Sequence, residues 1–238
     1  CCQAPPLLSP EAASLAGVVD RLGQGGPTMA TSIAILEDGD ECLAALERDI
    51  AAARDHVHCE YYIWEPDRVG ARIRDALAAA AHRGVQVRVL FDALGSPDAG
   101  RAFWEPLAAA GGAVLAFNRV RLSLASLNFA NFRTHRKIIV CDGSVGFTGG
   151  MNICDDHSTA ANRDLAWRDT HIRIEGSPVS DLQVAFLEDW HFAAGTAPCD
   201  RDYFPDLDAA GRGPWVQVLA SGPDHDSYAI ERFCFAAI

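Results

Sequence analysis

Apolar positions recur along this chain in two rhythms, short β-branched runs alternating with longer stretches of helical period. Ser32-Ile33-Ala34-Ile35-Leu36 is the first run and reads as a strand ended by Asp38-Gly39. Asp40 is placed to cap a helix running to about Arg54, with Leu43, Leu46 and Ile50 on one face. His56 to Trp64 predicts a second strand, closed by Pro66-Asp67, and Val69 to His82 an alanine-rich helix stopped by Arg83-Gly84. Val85 to Asp92 predicts a third strand, followed by a helix near 100–110 and a strand near 113–117. Ile138-Ile139-Val140 reads as a buried strand entering a turn at Asp142-Gly143. Trp167 to Gly176 alternates as a strand, and Ser180 to Phe192 carries the apolar stripe of a helix. This alternation predicts an α/β fold, a mixed β-sheet flanked by helices on both faces.

Punctuation divides the chain. Residues 1–30 read as a lead-in in which Ser9-Pro10-Glu11 starts a short helix, and 31–195 as the main unit. Residues 196–215 are a linker rich in Gly, Pro and Asp. From Val216 to Asp224, followed by an apolar-periodic Ile230 to Ile238, the pattern echoes Ile35 to Asp40 and its helix. A second copy of the unit is therefore expected to start near 216 and to be cut short at 238.

Composition narrows the options. The 238 residues are 49% hydrophobic and 22% charged, as in an ordinary soluble α/β protein. A net charge of −12 argues against a general nucleic-acid binder, which needs excess cations to displace counterions. Within this acidic chain Arg119, Arg121, Arg133, Arg136 and Lys137 form a positive island. The eight cysteines include no Cys-x2-Cys pair, so no zinc site is expected and most read as small buried residues of a reduced, intracellular protein. No run reaches the ~18 apolar residues of a membrane span, so this segment by itself is expected to be soluble.

Chemistry concentrates in the eighteen residues from His135 to Asn152. On an extended segment His135 and Lys137 project to the same side, about 7 Å apart along the chain. A neutral imidazole beside a fixed ammonium suits attack on a phosphate ester, the Lys holding the anionic oxygens while a ring nitrogen attacks phosphorus. Asn152 is placed to donate an amide hydrogen bond to the same oxygens, and Gly149-Gly150 let the backbone approach closely. Asp142, next to Gly143, reads as structural or supporting, with a direct catalytic role as the alternative. A nucleophilic His needs a partner that fixes its tautomer. Asp169 is the candidate, against a salt-bridge role, and Glu60 a further possible support, against a buried ion pair. His56, His58 and His171 read as sheet residues. No metal or cofactor is called for, since Lys and His supply the charge.

The pattern His135-x-Lys137-x4-Asp142-x6-Gly149-Gly150-x-Asn152 resembles the signature of the phospholipase D superfamily. Outside it, Glu60-Tyr61-Tyr62-Ile63-Trp64, Gly95-Ser96, Gly146-Phe147-Thr148, Trp167-Arg168-Asp169-Thr170-His171 and Ser221-Gly222-Pro223-Asp224 resemble one branch, the bacterial cardiolipin synthases. The resemblance implies a phospholipase D-like fold and a phosphatidyltransferase. Such an enzyme joins two phosphatidylglycerols into cardiolipin through a phosphohistidine and works at the bacterial cell membrane. It also implies an acidic residue about thirty positions after the His, which matches Asp169. Family members carry two His-x-Lys-x4-Asp motifs, so a second unit, from a missing C-terminal half or a second subunit, is an expected partner. A general acid and base for the alcohols would come from there. Leu122, Leu124, Leu127, Phe129 and Phe132 form a loop expected either to dip into the bilayer or to cover the sheet. Two other readings stay open: a phosphodiesterase or nuclease built by pairing single-motif subunits, and an inactive fragment.

Overall fold

The computed structural model describes residues 9–21, 25–117, 134–207, 213–221 and 229–237. The loop with Leu122 to Phe132, together with Arg119, Arg121 and Arg133, lies outside these residues. In chain order the elements are α1 (Pro10–Arg21), β1 (Thr28–Leu36), α2 (Gly39–Ala52), β2 (His56–Tyr61), α3 (Arg68–His82), β3 (Gln86–Asp92), α4 (Arg101–Ala109) and β4 (Ala113–Phe117). Then come β5 (Lys137–Cys141), β6 (Val145–Gly149), α5 (Thr159–Asn162), β7 (His171–Gly176), α6 (Val179–Ala194), β8 (Trp215–Val216) and α7 (Ala229–Ala237).

The eight strands among the described residues form one sheet in the order β4-β3-β2-β5-β6-β7-β1-β8. The β2–β3 and β3–β4 pairs are parallel and every other pair is antiparallel, so the mixed sheet is as expected. One face carries α2, α3 and α4 over a core that includes Leu46, Ile50, Val57, Ile73, Leu77, Val89 and Ile139. The other carries α6, whose Val179, Leu182 and Ala185 pack on Ile138, Val140 and Ile174. Burial on both faces explains why β5 reads as a near-continuous apolar run. Because β5 runs antiparallel to β2, Lys137 at its start pairs with Tyr61 at the carboxyl end of β2. The motif thus opens at the carboxyl ends of the parallel strands β2 and β3, where α/β proteins hold ligands.

Several boundaries move. The cap of α2 is Asp38, not Asp40: its carboxylate accepts from Glu41 N–H at 2.9 Å. Asp40 instead accepts from Ser158 Oγ, Thr159 Oγ1 and the Ala160 N–H, tying α2 to α5. This contact needs Gly39, where a Cβ would stand 1.5 Å from the His157 carbonyl oxygen. The first strand begins at Thr28, inside the expected lead-in, and α1 is a full 12-residue helix. Trp167 to Thr170, expected in a strand, precede it, since β7 starts only at His171. The β6 strand was not anticipated, and it forms a hairpin with β5 through Asp142 and Gly143, whose φ values are +52° and +62°. The Gly/Pro/Asp-rich stretch is partly anchored: Tyr203 is buried, and Asp200 pairs with Arg88 at 3.1 Å. Trp215 and Val216 pair with Met29 and Thr28 at the sheet edge. None of the described helices is long and apolar enough to cross a membrane.

Candidate active site

The residues before β5 form the centre of the site. His135 is exposed and sits just outside the strand ladder, whereas Lys137, the first strand residue, is buried at 3% exposure. The Lys137 ammonium lies 3.1 Å from Nδ1 and 3.4 Å from Nε2 of His135, and donates to the His135 carbonyl at 2.9 Å. Tyr62, which follows β2, backs both groups. Its ring centroid is 4.7 Å from that of His135, and the ammonium stands 5.5 Å from it, in cation–π range. Lys137 and His135 therefore share one opening, as the alternation of an extended chain requires.

Electrostatics keep the ring neutral. Desolvation and then the Lys137 charge lower the His135 pKa below the usual imidazole range, so a ring nitrogen keeps its lone pair near neutral pH. Burial pulls Lys137 down to about 8, partly opposed by Asp169. It stays mostly cationic at neutral pH and holds its proton loosely.

Asp169 reaches this centre through the two glycines. A Cβ on Gly150 would lie 2.1 Å from Asp169 Oδ1, and one on Gly149 2.5 Å from the Thr170 carbonyl oxygen. The Gly150 N–H donates to that carbonyl at 2.9 Å, and Gly149 has φ +150°. Thus the glycine pair makes room for the chain entering β7. The Asp169 carboxylate accepts from the Thr170 N–H at 2.6 Å. No hydrogen bond joins it to the His135 ring among the described residues; its charge acts on Lys137 and on the buried His157 and His171.

Asn152 accepts from the Ile63 N–H through Oδ1 at 3.3 Å, which fixes its amide beside the carboxyl end of β2. Asp142 stands apart. It lies five positions after Lys137, about 17 Å along an extended strand, at the opposite end of β5. Its carboxylate accepts from the N–H groups of Arg54, Asp55 and His56 at 2.9, 2.8 and 3.0 Å. Through these bonds Asp142 ties the α2–β2 loop to the β5–β6 turn. His56 and His58 are buried and bridged by Gln183, 3.1 Å from His56 Nε2 and 2.8 Å from His58 Nδ1. They belong to the α6 interface.

Several residues around the site have contacts that the sequence does not assign. Thr134 is buried and donates to Glu60 Oε1 at 2.5 Å, and Arg136 forms an ion pair with Asp189 of α6. Tyr62 is legible in the sequence only as part of a strand and of the block Glu60 to Trp64. His157 and His171 are buried with both ring nitrogens unpartnered among the described residues. A cleft of about 310 Å³ opens on the α6 side of the motif, with walls that include His135, Lys137, Thr148, Leu182, Val218 and Ile230.

Comparison with known proteins bears on the family and the fold. The cardiolipin synthase from Geobacillus thermodenitrificans is 40% identical over 233 residues, covering 97% of this chain and 46% of that protein. The chain thus spans about half the length of the curated relatives it matches. Among solved structures, the phosphatidylserine synthase of Haemophilus influenzae superposes with a TM-score of 0.56 at 18% identity, over 74% of this chain and 41% of that one. Nuc, a phospholipase D family member from Salmonella typhimurium, gives 0.51 at 21% identity, over 73% and 99%. The two structures share the fold. The family model of the cardiolipin synthase, PLD-like domain matches residues 46–190, more than half of the chain, and this chain belongs to that family.

Proposed function

We propose that this chain supplies the nucleophilic half of a phosphatidyltransferase that forms cardiolipin from two phosphatidylglycerol molecules. The observation that carries the reading is the pairing of an exposed, neutral His135 with the Lys137 ammonium 3.1 Å away. In the first step a His135 ring nitrogen attacks phosphorus, the P–O bond to glycerol breaks, and the glycerol oxygen takes a proton from a general acid. In the second, the hydroxyl of another phosphatidylglycerol attacks the phosphohistidine, gives up its proton to the base, and frees the ring. Lys137 and the Asn152 amide hold the phosphoryl oxygens as charge builds on them. Gly150 admits Asp169, which keeps Lys137 protonated.

Acid and base are assigned to a second His-x-Lys-x4-Asp unit, beyond this chain or on a second copy. The cleft beside the motif has apolar walls from Leu182, Ala185, Val218 and Ile230, which suit a lipid at a membrane surface better than a nucleic acid. The net charge of −12 favours the same choice. No cofactor enters the scheme. The test uses the full-length protein with phosphatidylglycerol vesicles. The reading predicts cardiolipin and glycerol in equal amounts, both abolished by His135→Ala with folding intact. Undiminished product from that variant would contradict it.

A further inference from the structure

We propose that Glu60 and Asp189 clamp the two neighbours of His135 and are positioning residues for its attack; this deepens the function proposed above and rests on it. The need for such a device is geometric. The ladder of β5 begins at Lys137, so His135 lies just before the backbone pairing that would otherwise hold it. Misplacing a reacting atom by about 1 Å can cost on the order of 100-fold in rate.

Side chains take over where the ladder stops. On an extended segment Thr134 and Arg136 point away from His135 and toward the α6 face. Thr134 Oγ1 donates to Glu60 Oε1 at 2.5 Å, and the Arg136 guanidinium pairs with Asp189. The Arg136 N–H donates to Thr134 Oγ1 at 3.4 Å, joining the two grips. Glu60 belongs to β2 and Asp189 to α6, so two separately packed elements hold the segment.

The charges balance only in one arrangement. Glu60 is fully buried, and desolvation followed by the Asp189 carboxylate pushes its pKa well above the usual carboxylate range. As a neutral acid it accepts from Thr134 through Oε1, while its buried Oε2 lies near the Asp189 carboxylate without a close hydrogen bond. The negative charge of Asp189 then offsets Arg136, leaving a group of zero net charge beneath the nucleophile. An apolar residue would fill the same volume without fixing the direction of Thr134.

The experiment compares Glu60→Gln, Glu60→Leu, Thr134→Val and Thr134→Ser in the full-length protein, reading kcat and KM separately. In parallel, NMR relaxation reads the backbone order of residues 134–136 in each variant. Because Glu60 is held neutral, Gln replaces its O–H with an N–H donor and keeps kcat within about threefold of wild type. Glu60→Leu and Thr134→Val lower kcat by about 100-fold with KM nearly constant, and the His135 amide loses order. Thr134→Ser restores both. Thr134→Val keeps the clamp testable if Glu60→Leu fails to fold. Wild-type kcat in Thr134→Val, or a rigid 134–136 segment in both apolar variants, would overturn the proposal. If the wild type turns over no phosphodiester, the proposed function fails, and the relaxation data alone then decide the clamp.

Discussion

Gly150 and Asp169 are in direct contact: a methyl group on the glycine would stand 2.1 Å from a carboxylate oxygen. The consequence reaches Lys137, whose pKa the Asp169 charge raises against burial. Gly150→Ala should displace Asp169 and let the Lys137 pKa fall further below about 8. We expect the alkaline limb of kcat/KM to move to lower pH and kcat to drop by roughly tenfold. Asp169→Asn should move the limb in the same direction without the backbone shift. A pH–rate profile of each variant checks this, and an unmoved limb in both would detach Asp169 from Lys137.

The same two groups predict the wild-type profile. The proposed attack requires His135 unprotonated, and burial with the Lys137 charge lowers its pKa, so activity should rise through a midpoint below 6.5. The proposed phosphate contact requires Lys137 protonated, so activity should fall through about 8. Steady-state kcat/KM across pH 4–10 in the full-length protein should give this bell. An alkaline limb near the ordinary lysine value would remove Lys137 from the reacting group.

Asp142 should matter for stability rather than for chemistry. Its carboxylate satisfies three backbone N–H groups, and its backbone is left-handed at φ +52°. Removing a charged acceptor from such bonds costs about 1.5–3 kcal/mol each at most, with losses that do not add fully. Asp142→Ala is expected to lose about 3 kcal/mol in urea unfolding, with kcat at permissive temperature within about threefold of wild type. Asp142→Asn should lose less, because it keeps one acceptor oxygen and tolerates the left-handed conformation.

Buried imidazoles make the fold acid-sensitive. Burial drops the folded-state pKa of His171 to about 4, against 6.5 when unfolded. Between these values the unfolded chain binds more protons, so stability is full above about pH 6.5 and is lost as pH falls toward 4. The loss from this residue is about 3 kcal/mol. His58 and His157, also lowered by burial, act in the same direction. Unfolding free energy measured at intervals over this range should decline for wild type, and His171→Leu should flatten the slope by about one proton.

What the sequence disclosed depended on the range of the interaction. The β-branched Ile138 to Val140 and the Asp142-Gly143 turn are local signals, and β5 follows from them. Lys137 beside His135 follows from strand alternation alone. By contrast, β6 carries Gly146 and Gly149, which weaken any strand pattern. The fold needs them because a Cβ on Gly146 would stand 2.8 Å from Leu182, and one on Gly149 meets β7. The exchange of Asp38 for Asp40 as cap has a similar origin, since Asp40 is engaged 118 residues away by Ser158. Glu60 and Thr134 are separated by 74 residues and Arg136 and Asp189 by 53, so their pairing had no local signature. Asp142 illustrates the opposite hazard. Its place in the motif left a direct catalytic role open beside a structural one, and the strand carries it to the end of β5 away from Lys137.

The most direct test is to trap the covalent intermediate. Full-length protein mixed with phosphatidylglycerol should be quenched within milliseconds, digested under non-acidic conditions and mapped by mass spectrometry. A phosphatidyl group on the peptide containing His135, absent from His135→Asn, is the predicted result. Turnover with no adduct on His135 at any quench time, or an adduct carried by another residue, would contradict the account.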